Sequence, residues 1–150
     1  MIKAYDIARY CIFYTNEQNS PLTNIDIQII LYELQKEFVE NTGKPLFFDC
    51  ITIKNGYPVV NDVYYKLCGY GCMPIAISNT QQEKLRSEIE TKIQKISDTL
   101  VSKINRTIQN YINTEPWNRT KIFDYTGSPF KLFLTEPCDD MTVYFKKERM

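Results

Sequence analysis

The sequence predicts a mainly α fold of the α+β kind: a compact helical domain with one long helix in its C-terminal half and a small β-hairpin. Three observations predict it. A capped apolar stripe starts at Thr23, eight apolar residues recur at helical spacing from Leu85 to Ile112, and Asn55-Gly56 separates two short extended runs between them. At 150 residues, 43% of them hydrophobic, the chain is long enough for one domain, residues 1–150, around a single core.

Tyr5 to Tyr14 reads as the first helix, with Asp6 in its first turn and Ala8, Cys11 and Ile12, joined by Tyr5, as an apolar stripe. A helix of about ten residues is marginal alone in water, so it is expected to pair antiparallel with the helix that follows. A polar connector, Thr15 to Leu22, leads to Thr23-Asn24-Ile25-Asp26. This is the capping-box pattern, in which a hydroxyl and a carboxylate satisfy free amides of a first helical turn. Behind it Ile27, Ile30, Leu31, Leu34 and Phe38 share one face, while Gln28, Glu33, Lys36, Glu37 and Glu40 point elsewhere. Thr42-Gly43-Lys44-Pro45 ends the helix, with a glycine suited to the left-handed cap and a proline that cannot continue the ladder.

Leu46 to Ile53 and Tyr57 to Tyr64 are the two expected strands, joined at Lys54-Asn55-Gly56, because Asn and Gly both tolerate the positive φ of a tight hairpin. Lys66 to Pro74 holds two glycines and a proline and is expected to be a mobile loop. After candidate caps at Ser78-Asn79-Thr80, the second stripe has a mean spacing of about 3.9, nearer the helical than the strand period. At 1.5 Å per residue such a helix reaches roughly 45 Å, more than a small domain needs. It therefore either breaks near Ser97 or projects at one end. Pro116-Trp117 closes it, with Trp117 read as a core plug. Arg119 to Tyr125 is a short helix or turn, and Phe130 to Leu134 with Met141 to Phe145 are two further candidate strands.

The central stretch also carries a resemblance. Thr23 to Tyr32 reads T-N-I-D-I-Q-I-I-L-Y, Gly43 to Phe47 reads G-K-P-L-F, and Asn55 to Tyr64 reads N-G-Y-P-V-V-N-D-V-Y. Together they resemble the Panacea, or SocA-like antitoxin, domain, with its T-x-x-x-L-Q-K-L-L-Y helix and its G-x-P-L-F and G-P-V-x-x-x-x-Y segments. Thr114-Glu115-Pro116-Trp117 is similar to the family's T-H-x-x-x-P-W region. The chain departs from the pattern at Ile29, where lysine is usual, at Tyr57, which interrupts G-P-V, and near Trp117, where no histidine stands. The resemblance implies a non-enzymatic antitoxin or adaptor that neutralises a partner toxin or presents it to a protease. Since such domains travel on phages and mobile elements, it also allows an inhibitor of a host defence nuclease. Gln28 and Tyr32 recur in the family pattern and are read as holding the hairpin to the helix.

Composition narrows the chemistry. The chain has no histidine, which excludes Ser-His and Cys-His nucleophile pairs, histidine bases and His-containing zinc sites. There is no Gly-rich phosphate loop. Cys68 and Cys72 form C-x3-C without a second cluster, so no metal site is expected, and nothing requires a cofactor. Asp139-Asp140 reads as a solvated turn rather than a catalytic pair. Eighteen basic and eighteen acidic residues cancel, which argues against direct nucleic-acid binding, and only residues 76–112 lean basic. An odd count of five cysteines and no long apolar run predict a soluble cytoplasmic protein with reduced thiols, in which the Asn-x-Thr triplets at Asn105 and Asn118 are chance matches.

Partner-binding candidates come from two features. Tyr57, Tyr64, Tyr65 and Tyr70 cluster around the hairpin and Gly loop, and four hydroxyls are hard to bury together because each needs a partner. Lys84, Lys92, Lys95, Lys103 and Arg106 form a basic face on the long helix, of which Lys92 and Lys95 are the leading candidates. The sequence names neither the partner nor the oligomeric state.

Overall fold

A computed structural model describes residues 2–54, 57–93 and 98–114. Outside the described residues lie the Asn55-Gly56 turn, Lys95, Trp117, Cys138, the Asp139-Asp140 pair and the expected elements after Trp117. The architecture is mainly helical with a small two-stranded antiparallel sheet, as predicted. Its elements are α1 (Ala4–Glu17), α2 (Asn24–Thr42), β1 (Ile51–Lys54), β2 (Tyr57–Val60), α3 (Asn61–Leu67), a 3-10 turn at Cys68–Tyr70, α4 (Asn79–Lys92) and α5 (Asp98–Asn113).

Helix α2 is the centre. Its capping box forms as read: the Asp26 amide donates to Thr23 Oγ1 at 3.2 Å and the Thr23 amide to Asp26 Oδ2 at 3.0 Å. Gly43, at φ 72°, turns the chain out through the left-handed region, and its amide closes on the Val39 carbonyl at 2.8 Å. The helix is not one-sided. Ile27, Gln28, Ile29, Ile30, Leu31 and Tyr32 are all at most 2% exposed, because α1, α5, α3 and the hairpin surround it. Burying Gln28 and Gln35 among aliphatics is costly unless their amides are bonded, and both are. Gln35 Oε1 accepts the amides of Leu46 and Phe47 (2.8 and 3.3 Å), and its Nε2 donates to the Phe47 carbonyl at 2.9 Å. Gln28 Oε1 accepts the Val60 amide at 2.8 Å, its Nε2 donates to Asn24 Oδ1 at 3.0 Å, and Asn24 Nδ2 donates to the Tyr64 carbonyl at 3.1 Å. Gln28 thus holds the hairpin to the helix, as read, and Gln35 does the same for the preceding segment.

The hairpin pairs Ile51 with Val60 and Thr52 with Val59. Both strands are shorter than expected: β1 begins at Ile51 rather than Leu46, and Asn61–Leu67 is helical, not extended. Val63 and Leu67 lie one helical turn apart and are both buried, and Lys66 Nζ pairs with Asp62 at 3.1 Å at the same spacing. The expected loop at Lys66–Pro74 accordingly begins inside α3 and continues as a 3-10 turn. Gly71, at φ 58° and ψ −128°, then takes a conformation open to glycine.

Of the two outcomes expected of the long helix, a break or a projecting end, the structure has the break. Ile93 caps α4, and α5 begins at Asp98. The apolar stripe has the same period in both designs, but a straight rod of that length would leave half of it in water. Instead α4 packs on α1 and buries Ile89 and Ile93, while α5 packs on α2 and buries Leu100, Ile104, Ile108 and Tyr111. Each such aliphatic side chain taken from water contributes about 1.5–3 kcal/mol. Polar bonds fix both packings. Gln82 Nε2 donates to the Phe13 carbonyl at 2.9 Å, and the Tyr111 hydroxyl donates to Asp26 Oδ1 at 2.5 Å. Arg86 pairs with Glu17 across α1 and α4, and Arg106 pairs with Glu37 at 3.5 Å across α2 and α5. No helix among the described residues is long and apolar enough to cross a membrane.

Candidate protein-interaction site

An open groove of about 300 Å³ runs between α1, the α3 end with its 3-10 turn, and α4. Its floor is aliphatic. Ile12, Leu67 and Ile75 are buried, and Ile77 and Leu85 are partly so. What brings Ile75 and Ile77 there is Asn16, near the end of α1. Its Nδ2 donates to the Ile75 carbonyl at 2.9 Å and its Oδ1 accepts the Ile77 amide at 3.1 Å, in the manner of a neighbouring strand. The Ile75 amide in turn donates to the Leu22 carbonyl at 2.8 Å.

The rim is charged and aromatic. Lys66 Nζ lies 4.3 Å from the centroid of the Tyr5 ring, and the Arg9 guanidinium lies 5.7 Å from it on the α1 side. Arg9 also pairs with Glu88 of α4 and reaches Asp6 at 4.0 Å. Lys84 lines the groove from α4, is exposed, and has no ion pair among the described residues. Tyr70, 37% exposed, closes one end. The turn beyond it, tied by the Met73 amide to the Tyr70 carbonyl at 3.0 Å, presents Met73 at 67% exposure.

Of the residues selected from the sequence, Tyr70 and, from the basic face, Lys84 line this groove among the described residues. Tyr64 and Tyr65 sit on α3 with their rings edge to face at 5.7 Å. Tyr64 is half-buried, and Tyr65 is 60% exposed. Tyr57 is half-buried against the core at the start of β2. Lys92 is exposed and reaches Asp6 of α1 at 3.5 Å, while Lys95 lies outside the described residues. Among the described residues the basic face is divided between two helices, Lys84 and Lys92 on α4 and Lys103 and Arg106 on α5. With the stripe folded into two helices, Lys84 and Lys92 face the α1 side, and Arg106 faces α2 through Glu37.

No family model matches the chain, nor does any curated protein or solved structure. The resemblance to the Panacea domain therefore rests on the motif residues alone.

A second cavity, about 210 Å³ between α2 and α5, is lined by Ile30, Glu33, Glu37, Thr107, Asn110, Tyr111 and Thr114. Burial raises the Glu33 carboxyl above its ordinary range, and Glu40 and Glu37 add to the shift while Lys36 opposes it. Among the thiols, Cys11 is wholly buried in the core, and burial pushes it up to about 12, which leaves it a packing group rather than a nucleophile. No cluster of metal-ligating side chains occurs among the described residues.

Sequence reading missed Tyr5, Arg9, Lys66, Lys84 and Leu85 as neighbours, since they come from three elements spread over eighty residues. The one usable signal was Gln81, Lys84, Leu85 and Glu88, which fall on one face of a helix.

Proposed function

We propose that this protein acts by binding another protein in the groove between α1, α3 and α4, neutralising that partner or handing it on as an adaptor. The observation that carries the reading is the groove itself: an aliphatic floor, a rim of tyrosine, arginine and lysine, and Tyr70 and Met73 exposed at one end. Aromatic residues, Met and Arg are enriched in protein interfaces, and burying an exposed Tyr or Met on a partner recovers apolar area at modest entropic cost. The antitoxin role is what the Panacea resemblance implies. It supplies the kind of partner, and the groove supplies the means.

The test is affinity purification from the native host with the wild-type protein, a Tyr70→Ala/Lys84→Glu double variant and a control, Lys44→Glu, at an exposed site away from the groove, each checked by circular dichroism and thermal melting. Wild type and control are expected to retain one specific partner, and the double variant to lose at least about tenfold in affinity, roughly 1.4 kcal/mol, while melting as wild type does. Equal recovery by the folded double variant would remove the groove from the function. A small protein encoded beside this one would identify an antitoxin, and a large defence nuclease an inhibitor.

A further inference from the structure

We infer that the groove selects a particular chemistry: a partner segment with an aliphatic or aromatic anchor flanked by carboxylates. This rests on the reading of the groove as a protein-binding site and narrows what it takes. The floor fixes the first half of the statement. Ile12, Leu67 and Ile75 are buried beneath it and make no polar demand, so they favour an apolar side chain.

Charge fixes the second half. Arg9, Lys66 and Lys84 line the groove against the single carboxylate of Glu88. That carboxylate is already held by Arg9, Lys66 shares its charge with Asp62, and Lys84 has no ion pair among the described residues. A basic segment would meet two lysines with no uncompensated acid between them, whereas an acidic one finds Lys84 unengaged and Lys66 able to exchange Asp62 for a new partner. The start of α4 adds to the preference. Its Ser78 capping box leaves the positive end of the helix beside Gln81, which also lines the groove.

The experiment is selection of a phage-displayed library of random peptides on the full-length protein, followed by fluorescence anisotropy of the enriched peptides as synthetic, labelled molecules. The expected peptides carry Leu, Ile, Phe or Met with Asp or Glu nearby. Their affinity should fall at least about tenfold on Lys84→Glu, hold on Lys84→Arg, and weaken as NaCl rises from about 50 to about 500 mM. Enrichment of basic or uncharged peptides, equal binding to Lys84→Glu, or no enrichment at all would overturn the inference. The two readings fail separately. A partner lost from the Tyr70→Ala/Lys84→Glu variant alongside non-acidic peptides leaves the function standing without this selectivity, and acidic peptides without any co-purifying protein do the reverse.

Discussion

Gln35 shows how a single side chain sets the path of the chain. Both ends of its amide bond the backbone at Leu46 and Phe47, a stretch that pairs with no strand yet runs through the core. Without Gln35 two buried amides and a carbonyl lose their partner, at about 1–3 kcal/mol for each group left unsatisfied. Gln35→Ala is therefore expected to lower stability by at least about 2 kcal/mol in urea denaturation. A loss below about 0.5 kcal/mol would mean that water replaces the amide. Cys11 makes a second prediction. Its thiol, ordinarily near 9, is pushed up to about 12 in the fold, so above pH 9 the native state keeps a proton that the unfolded chain has lost. The Cys11 contribution to stability is then expected to fall as pH rises from 9 toward 12, with a slope of at most about 1.4 kcal/mol per pH unit. Tyr10, also raised by burial, adds to this slope, so the comparison to make is with Cys11→Ala, which should show the shallower decline. Identical slopes would assign the effect elsewhere.

Between elements, the recurring device is a side chain that serves two neighbours. Asp26 completes the α2 capping box through Oδ2 and receives the Tyr111 hydroxyl of α5 through Oδ1, so the start of one helix is tied to the end of another. Thr23→Ala removes one part of this and should cost about 1 kcal/mol. Tyr111→Phe removes the other. Asp26→Ala removes both and is expected to cost more than either, about 2–3 kcal/mol by equilibrium unfolding. If the three costs were equal, the α2–α5 tie would be incidental. Asn16 plays the same part between α1 and the segment at Ile75–Ile77, which is why the groove floor belongs to the fold rather than to a loose loop.

Across the whole molecule, burial is uneven. Helices α1 and α2 each bury several side chains completely, whereas among its described residues α4 buries Ile89, with Ile93 at its cap, and meets α1 along one face. Local opening follows such differences. In native-state hydrogen exchange, α2 amides are expected to exchange only with global unfolding, while those of α4 exchange through a smaller opening of its own. Equal protection of the two helices would show that the groove wall and the core open together. An α4 of lower stability is what the proposed binding of a partner in this groove calls for.

Much of this was legible in the sequence because it is local. The Thr23–Asp26 cap, the Gly43 stop, the pairing of β1 with β2 and both apolar stripes are patterns that neighbouring residues satisfy among themselves. The Asn61–Leu67 stretch misled because Val59, Val60 and Val63 fit a strand until Leu67 finds the core one helical turn on from Val63. Only the tertiary structure decided that the second stripe breaks into α4 and α5 rather than projecting, that Gln35 is a buried clamp and Asn16 a half-buried one, and that Tyr5, Lys66 and Lys84 share one rim. Periodicity states which face is apolar but not what covers it. Which surfaces meet depends on chain reversals and on buried polar groups finding partners dozens of residues away.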